Sequence, residues 1–403
     1  MSGELDSLDL VDGKRLSIVA TADGLTAEPQ TRDSNGSWLR ARPGDGVAEA
    51  LLALLAAAPE VSEIGSFTVH AWSARVAAGE RAITVDQTNE SVIVGDAAVV
   101  KWAAHLQAGP HPAPRRIEIL RANGFRHMPC PWGLLTWRSG DGTETLVAGA
   151  DEYLPGAVDG WTWAVDLIAA AAAGPDAPVD DLVSAAADVG TVIAELHAAL
   201  AVTATIASSA DAERWRAAAA VTLDEARAHS DPAVRDLLDS RVVSDIFDSL
   251  GAMAGTPVIE GHGDLHVGQV LRHPGGYAVI DFDGNPVLPP AERVLPIPAV
   301  LDVAGLAQSL THAAIVARRH HRVDELALAR VDLLARDQFT RSYATHLAAL
   351  GHGELYDPAG LRAFRLQQVL REVVYAARHL PRWMYVPEAA LPMLLDEGIT
   401  GGP

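Results

Sequence analysis

The stretch VIEGHGDLHVGQVLRHPGGYAVIDFDG, residues 258–284, constrains this chain more than any other. It sets three oxygen-bearing side chains, Asp264, Gln269 and Asp281, beside apolar runs suited to strands. In VLRHPGGYAVIDFD, β-branched and apolar residues flank Pro274, Gly275 and Gly276, which predicts a hairpin whose second arm, Tyr277 to Ile280, ends on Asp281. Upstream, HGDLHVGQ places Asp264 in a turn bordered by the permissive backbones of Gly263 and Gly268, with the Gln269 carbonyl five residues further on.

That set of groups suits phosphoryl transfer. The reaction needs a divalent cation to spread phosphate charge and a carboxylate to orient the attacking hydroxyl and take its proton. Asp264 fits the second task. Mg2+ prefers hard oxygen ligands and keeps some of its waters, so Asp281 and Gln269 suffice as a protein contribution. Two other arrangements compete. His and Asp in such a turn also serve simply to cap the loop. A hydrolytic metal site from His262, Asp264 and His266 would need a distant His or Cys cluster to complete a zinc shell, and none stands in the sequence.

HxDxxxxN followed by a later Asp is the catalytic-loop pattern of protein kinases and aminoglycoside phosphotransferases. HGDLHVGQVL, with Gln in place of Asn, resembles the bacterial maltokinase branch of that superfamily. The Gln keeps the carbonyl oxygen and adds one methylene. The resemblance implies an α+β, bilobal, protein-kinase-like fold with an N-terminal β-rich cap and a mostly helical C-lobe. It also implies ATP as co-substrate, Mg2+ as cofactor, Asp264 as base and Gln269 and Asp281 as metal ligands. His262 supports the loop, and Asp283 either assists the metal or stays structural.

At 403 residues, two or three domains or lobes are expected. A formal charge of −21 argues against nucleic-acid and anionic-membrane partners, whose binding draws on clustered Lys and Arg. It is compatible with a cationic or neutral substrate, while an anionic nucleotide requires local positive charge. Only Lys14 and Lys101 are lysines. The single cysteine, Cys130, excludes an intramolecular disulfide and fits a reducing compartment. The acidic, polar start MSGELDSLDLVDG is unlike a secretory signal, and WTWAVDLIAAAAAG is interrupted by Asp166. A cytoplasmic protein is expected, as a monomer.

Residues 1–88 read as a cap subdomain, with strand-like RLSIVAT, SWLRARP, SFTVHAW and ERAITVD and a helix from Gly46 to Pro59. Residues 89–153 read as a kinase N-lobe, and 154–403 as a helical C-lobe. QTNESVIVGDAAVVKWA predicts a hairpin turning at Gly95 and Asp96 and ending on Lys101, a compact charge suited to nucleotide phosphates. In PAPRRIEILRANGF, Glu118 either holds Lys101 through an ion pair, as in kinases, or is a solvated residue. Gln87 to Ser91 resemble the maltokinase QSNTS loop, a polar cover for phosphates that includes Ser91. TLVAGADEYLP resembles the hinge from which backbone groups of Glu152 to Leu154 would hold adenine.

Further on, the Ala-rich helical segments read as core, His197 among them. Asp302, opening a helix, reads first as an N-cap; in related kinases the matching aspartate also braces the catalytic loop. In LRAFRLQQVLREVVYAARHLPRWMYVPEAAL, Gln368 and Glu372 fall opposite an apolar stripe. Trp383, Tyr385 and Glu388 add the stacking surfaces and the carboxylate that sugar recognition uses. REVVYAARHLPRWMYVPEAAL is similar to actinobacterial glucosamine kinases, a maltokinase-related family. This implies transfer of the ATP γ-phosphoryl group to D-glucosamine, giving glucosamine 6-phosphate, with Gln368, Glu372, Trp383, Tyr385 and Glu388 beside Asp264 in the substrate pocket. A maltokinase, an aminoglycoside phosphotransferase and a non-catalytic binding module are the rivals.

Overall fold

The computed structural model describes residues 3–22, 24–83, 90–106 and 109–397. Gln87, Thr88 and Asn89 lie outside the described residues. The chain divides into two compact units. One comprises Met1–Arg121, Met128–Ala157 and Asp281–Leu295; the other comprises Ala122–His127, Val158–Ile280 and Pro296–Pro403.

In the first unit, β1 (Gly3–Val11), β2 (Lys14–Thr21), β3 (Gly24–Arg32) and β4 (Trp38–Arg40) form an antiparallel meander. β1 and β3 are not among the strands expected above. In β1 the buried Leu8 and Leu10 do alternate with Ser7 and Asp9 as a half-buried strand requires, whereas in β3 Pro29 argues against a paired strand. Pairing of β3 with both β2 and β4 overrides that signal. The second sheet runs in the order β5 (Val61–Ile64), β6 (Phe67–Ala71), β10 (Pro131–Arg138), β11 (Glu144–Glu152), β9 (Ala98–Trp102), β8 (Glu90–Val94) and β7 (Glu80–Ala82). The expected border at residue 88 therefore falls between β7 and β8, which are neighbours in one sheet.

A helix, Val47–Ala57, buries Leu51, Leu52 and Leu55 in a core shared by both sheets with Leu16, Phe67, Val100 and Trp102. Gly46 gives its N-terminus no side-chain cap. Instead the Glu80 carboxylate accepts the N–H groups of Gly44, Gly46, Ala48 and Glu49 at 2.6–3.1 Å, supplying negative charge to the helix start. Alternation along β9 sends Ala98, Val100 and Trp102 into this core and Lys101 to the opposite face.

The second unit is mostly helical. Asp180–Leu200, Ala299–His320, Glu325–Ala349 and Leu361–His379 are its longer helices along with Ser209–His229. Two segments, Asp180–Thr203 and Ala299–His320, are apolar enough to cross a membrane by composition, but 61% and 89% of their most apolar windows are buried inside the protein, so they serve as core. The hairpin forms as expected: Val270–His273 pairs with Gly276–Val279 in the register Val270 to Val279 and His273 to Gly276. The β-rich and helical units together make a bilobal α+β fold with an N-terminal β-sheet cap.

Candidate active site

In the helical unit, the turn carrying Asp264 is held by groups far along the chain. Asp302 is fully buried one turn inside Ala299–His320, whose N-cap position is Pro298. It therefore does not cap its own helix. Its carboxylate accepts the N–H groups of His262 at 2.7 Å and Gly263 at 2.8 Å, and lies 3.3 Å from His197 Nε2. Burial pushes the Asp302 carboxyl up, but the His197 contact, the His197 and His262 rings and the Gly263 N–H outweigh it and hold the pKa below the usual carboxylate value. The other His197 nitrogen lies 2.8 Å from the Tyr343 hydroxyl. His197, expected to be core, is thus the buried partner of the residue that shapes the turn.

His262 is buried as well. Its Nδ1 accepts the Asp264 N–H at 3.3 Å and its Nε2 lies 3.0 Å from the Ile280 carbonyl. One imidazole so ties the Asp264 turn to the residue that precedes Asp281. The main chain adds a second tie, from Ile280 N–H to the Gln269 carbonyl at 3.0 Å, and Val267 N–H donates to Ser309 Oγ at 2.8 Å.

Glycines let helices approach this turn. A Cβ on Gly160 would stand 1.6 Å from the Val267 carbonyl oxygen, and one on Gly305 would stand 2.3 Å from that of Leu265. Backbone cannot yield as a side-chain tip can. Gly160→Ala is expected to cost about 3 kcal/mol of stability and to lower activity by shifting the turn. Urea unfolding with turnover measured on the same preparation checks this; an unchanged midpoint would mean that the turn relaxes freely.

Asp264 opens onto a small, partly open recess lined by Gln367, Gln368, Arg371, Phe364 and Leu301. Gln368 also reaches Glu372, with Nε2 3.4 Å from Oε1, and Trp383 Nε1–H donates to Glu372 Oε2 at 2.9 Å. Burial raises the Glu372 pKa against the opposing pull of these two donors. Trp383 meets Tyr385 at 6.2 Å between ring centroids and Trp161 at 5.7 Å, and Trp161 stacks on His266. Arg319 lies 4.4 Å over the Tyr385 ring. Gln368, Glu372, Trp383 and Tyr385 are thus brought together. Glu388 is exposed in the first turn of Tyr385–Asp396, and its carboxylate makes no hydrogen bond or ion pair among the described residues. Trp161 escapes sequence reasoning because WTW at a helix start looks like core; only Trp163, two positions on and on another face, is buried.

In the β-rich unit, Lys101 stands opposite Ser91 and Gly149 in the ladder. Its ion partner is Asp151, 3.9 Å away, and not Glu118. Glu118 is exposed, because Arg116 and Leu120 occupy the inward face of Ala113–Ala122. Burial pulls the Lys101 pKa down, but the charges of Asp151, Asp281 and Asp283 raise it on balance. The Ser91 hydroxyl, on the same sheet face, is buried with no hydrogen-bond partner among the described residues. Asp281 has φ 67°, making it the one non-glycine residue with positive φ among the described residues. Strain at a carboxylate of this kind is typical of functional loops. The buried Arg116 guanidinium steadies the chain beyond Asp281, donating to the carbonyls of Phe282 at 3.0 Å and Arg293 at 2.9 Å. Asp283 lies 3.9 Å from His111, whose ring burial drives its pKa down to about 4. At the expected hinge, the N–H groups of Glu152 and Tyr153 are already donated to Cys130 and Ala97, which leaves that of Leu154.

A family model described as a phosphotransferase enzyme family matches residues 80–313. The chain is 60% identical over 399 residues to a glucosamine kinase of Mycolicibacterium smegmatis, spanning 98% of this chain and 99% of that protein. It is 44% identical to a glucosamine kinase of Streptacidiphilus jiangxiensis, over 97% of this chain and 90% of the relative. A solved structure of a glucosamine kinase in complex with glucosamine, ADP and inorganic phosphate is similar with a TM-score of 0.85 at 42% identity, covering 98% of this chain and 94% of that one.

Proposed function

Since the chain belongs to the phosphotransferase enzyme family, and within it to the glucosamine kinases, we propose that it transfers the γ-phosphoryl group of ATP to the 6-hydroxyl of D-glucosamine, giving glucosamine 6-phosphate. The observation that carries this reading is the recess at Asp264: Gln368 lines it and also reaches Glu372, a partly buried carboxylate suited to an ammonium.

Asp264 accepts the proton of the attacking hydroxyl. Lys101 and the unpartnered Ser91 hydroxyl serve the nucleotide phosphates, and the Leu154 N–H and Glu152 main chain serve the adenine edge. The oxygen donors Asp281 and Gln269 would hold Mg2+, a set fitted to a hard cation that takes its remaining ligands from phosphates and water. When bound, that ion supplies neutralisation of phosphate charge. Asp302 and His262 keep the Asp264 turn in shape, and Asp283 sits beside Lys101's charge. Trp383 and Tyr385 offer apolar surface to the sugar, with Glu388 as an outer carboxylate. On this reading residues 1–88 form the cap, 89–153 the nucleotide lobe and 154–403 the acceptor lobe, and the enzyme works in the cytoplasm.

A panel of acceptors tests it. With ATP and Mg2+, glucosamine should give a kcat/KM at least about ten-fold above that of maltose, since a partly buried carboxylate left without its ammonium costs more than lost shape alone. Maltose turned over as well as glucosamine would overturn the assignment.

A further inference from the structure

The recess beside Asp264 holds one charged group that the proposed reaction does not use. Arg371 follows Gln367 and Gln368 by one helical turn on Leu361–His379 and lines the same recess. Its guanidinium makes no hydrogen bond or ion pair with any described residue. Burial pushes its pKa below the usual arginine value, and the charge acting against that push is Asp264. Arginine remains protonated in such a setting, so a fixed positive charge with its fork of donors uncommitted faces the base.

An acceptor that carries an ammonium sets a problem for a catalytic carboxylate. In a partly desolvated recess an ammonium is drawn to a carboxylate, and charge-assisted hydrogen bonds of this kind are the strong ones. A sugar docked with its amine on Asp264 would present no hydroxyl for transfer. Gln368 borders both carboxylates on offer, Asp264 and Glu372, and their surroundings differ. Asp264 feels the charge of Arg371. Glu372 receives only neutral donors, Gln368 and the Trp383 indole.

We infer that Arg371 is a specificity-determining residue: it screens Asp264 from the acceptor's ammonium, directs that ammonium to Glu372 and so leaves a hydroxyl at the base. Repulsion of a wrong docking mode is as effective a device as attraction of the right one. The inference rests on the reading of the acceptor as an aminosugar.

The test is steady-state kinetics on the full chain at pH 6.5, where the aminosugar is an ammonium. Arg371→Gln should lower kcat and KM for glucosamine together, each about ten-fold, with kcat/KM kept within about two-fold, because a non-productive mode then competes with the productive one. Arg371→Lys, which keeps the charge, should retain most of kcat. Glucose, without the ammonium, used as a competitive inhibitor, should show a Ki altered less than about two-fold by Arg371→Gln. A raised KM with kcat intact would mean that the guanidinium binds the sugar directly, an equal loss of kcat/KM in both variants would mean a structural role, and no change would mean no role; each overturns the inference. Failure of the unsubstituted chain to phosphorylate glucosamine would instead overturn the acceptor reading itself.

Discussion

Asp264→Asn is expected to lower kcat by about 10³-fold with little change in KM for ATP or in thermal stability, because the amide cannot accept the proton of the attacking hydroxyl but fills the same space. The surrounding geometry favours a clean result. The turn is held by the main-chain N–H groups of His262 and Gly263 on Asp302 and by the His262 ring, and none of these contacts uses the Asp264 carboxylate. Coupled ADP release and a melting curve on one preparation check both halves. Turnover within ten-fold of the parent enzyme would remove Asp264 from the role of base.

The second large effect is structural. Asp302→Ala strands two buried N–H groups and the His197 ring, and loss of one partner from a buried charged network costs about 3–5 kcal/mol. For a unit of this size that is a fall in Tm of roughly 6–20 °C, with turnover lost as the Asp264 turn loosens. A pH signature accompanies it. The folded pKa of Asp302 lies below its unfolded value, so its contribution is fully present above about pH 4 and drains away as pH falls through the lower folded value. The parent enzyme should therefore lose stability on acidification more steeply than Asp302→Ala. Parallel acid profiles would show that the carboxylate contributes no stability through its ionisation.

Much of this was legible along the chain because the signals were local. β-Branched runs either side of Pro274, Gly275 and Gly276 can hardly be anything but a hairpin, and alternation in AVVKW places Lys101 away from the core. What sequence concealed was set by tertiary contact. Asp302 reads first as a cap because its position near a helix start is visible; that it braces the turn comes only through the family resemblance, since the N–H groups of residues 262 and 263 it holds are remote in sequence. Sequence leaves Glu118 open between a partner of Lys101 and a solvated residue; the helix turns it outward, and β11 supplies Asp151 from the neighbouring strand. Glu388, read as a further carboxylate for the sugar, stands exposed in the first turn of Tyr385–Asp396, which sequence does not reveal. Arg116 and Arg371, two of 29 arginines, carry no motif; only their burial and the carbonyls or carboxylate they face set them apart.

The most direct measurement of the central claim is the position of the phosphate on the product. Incubation with ATP, Mg2+ and glucosamine, followed by phosphorus–proton correlation spectroscopy, should reveal a single ester coupled to the two protons of carbon 6. Phosphate coupled to the anomeric proton, or ATP consumed with no sugar ester formed, would contradict it.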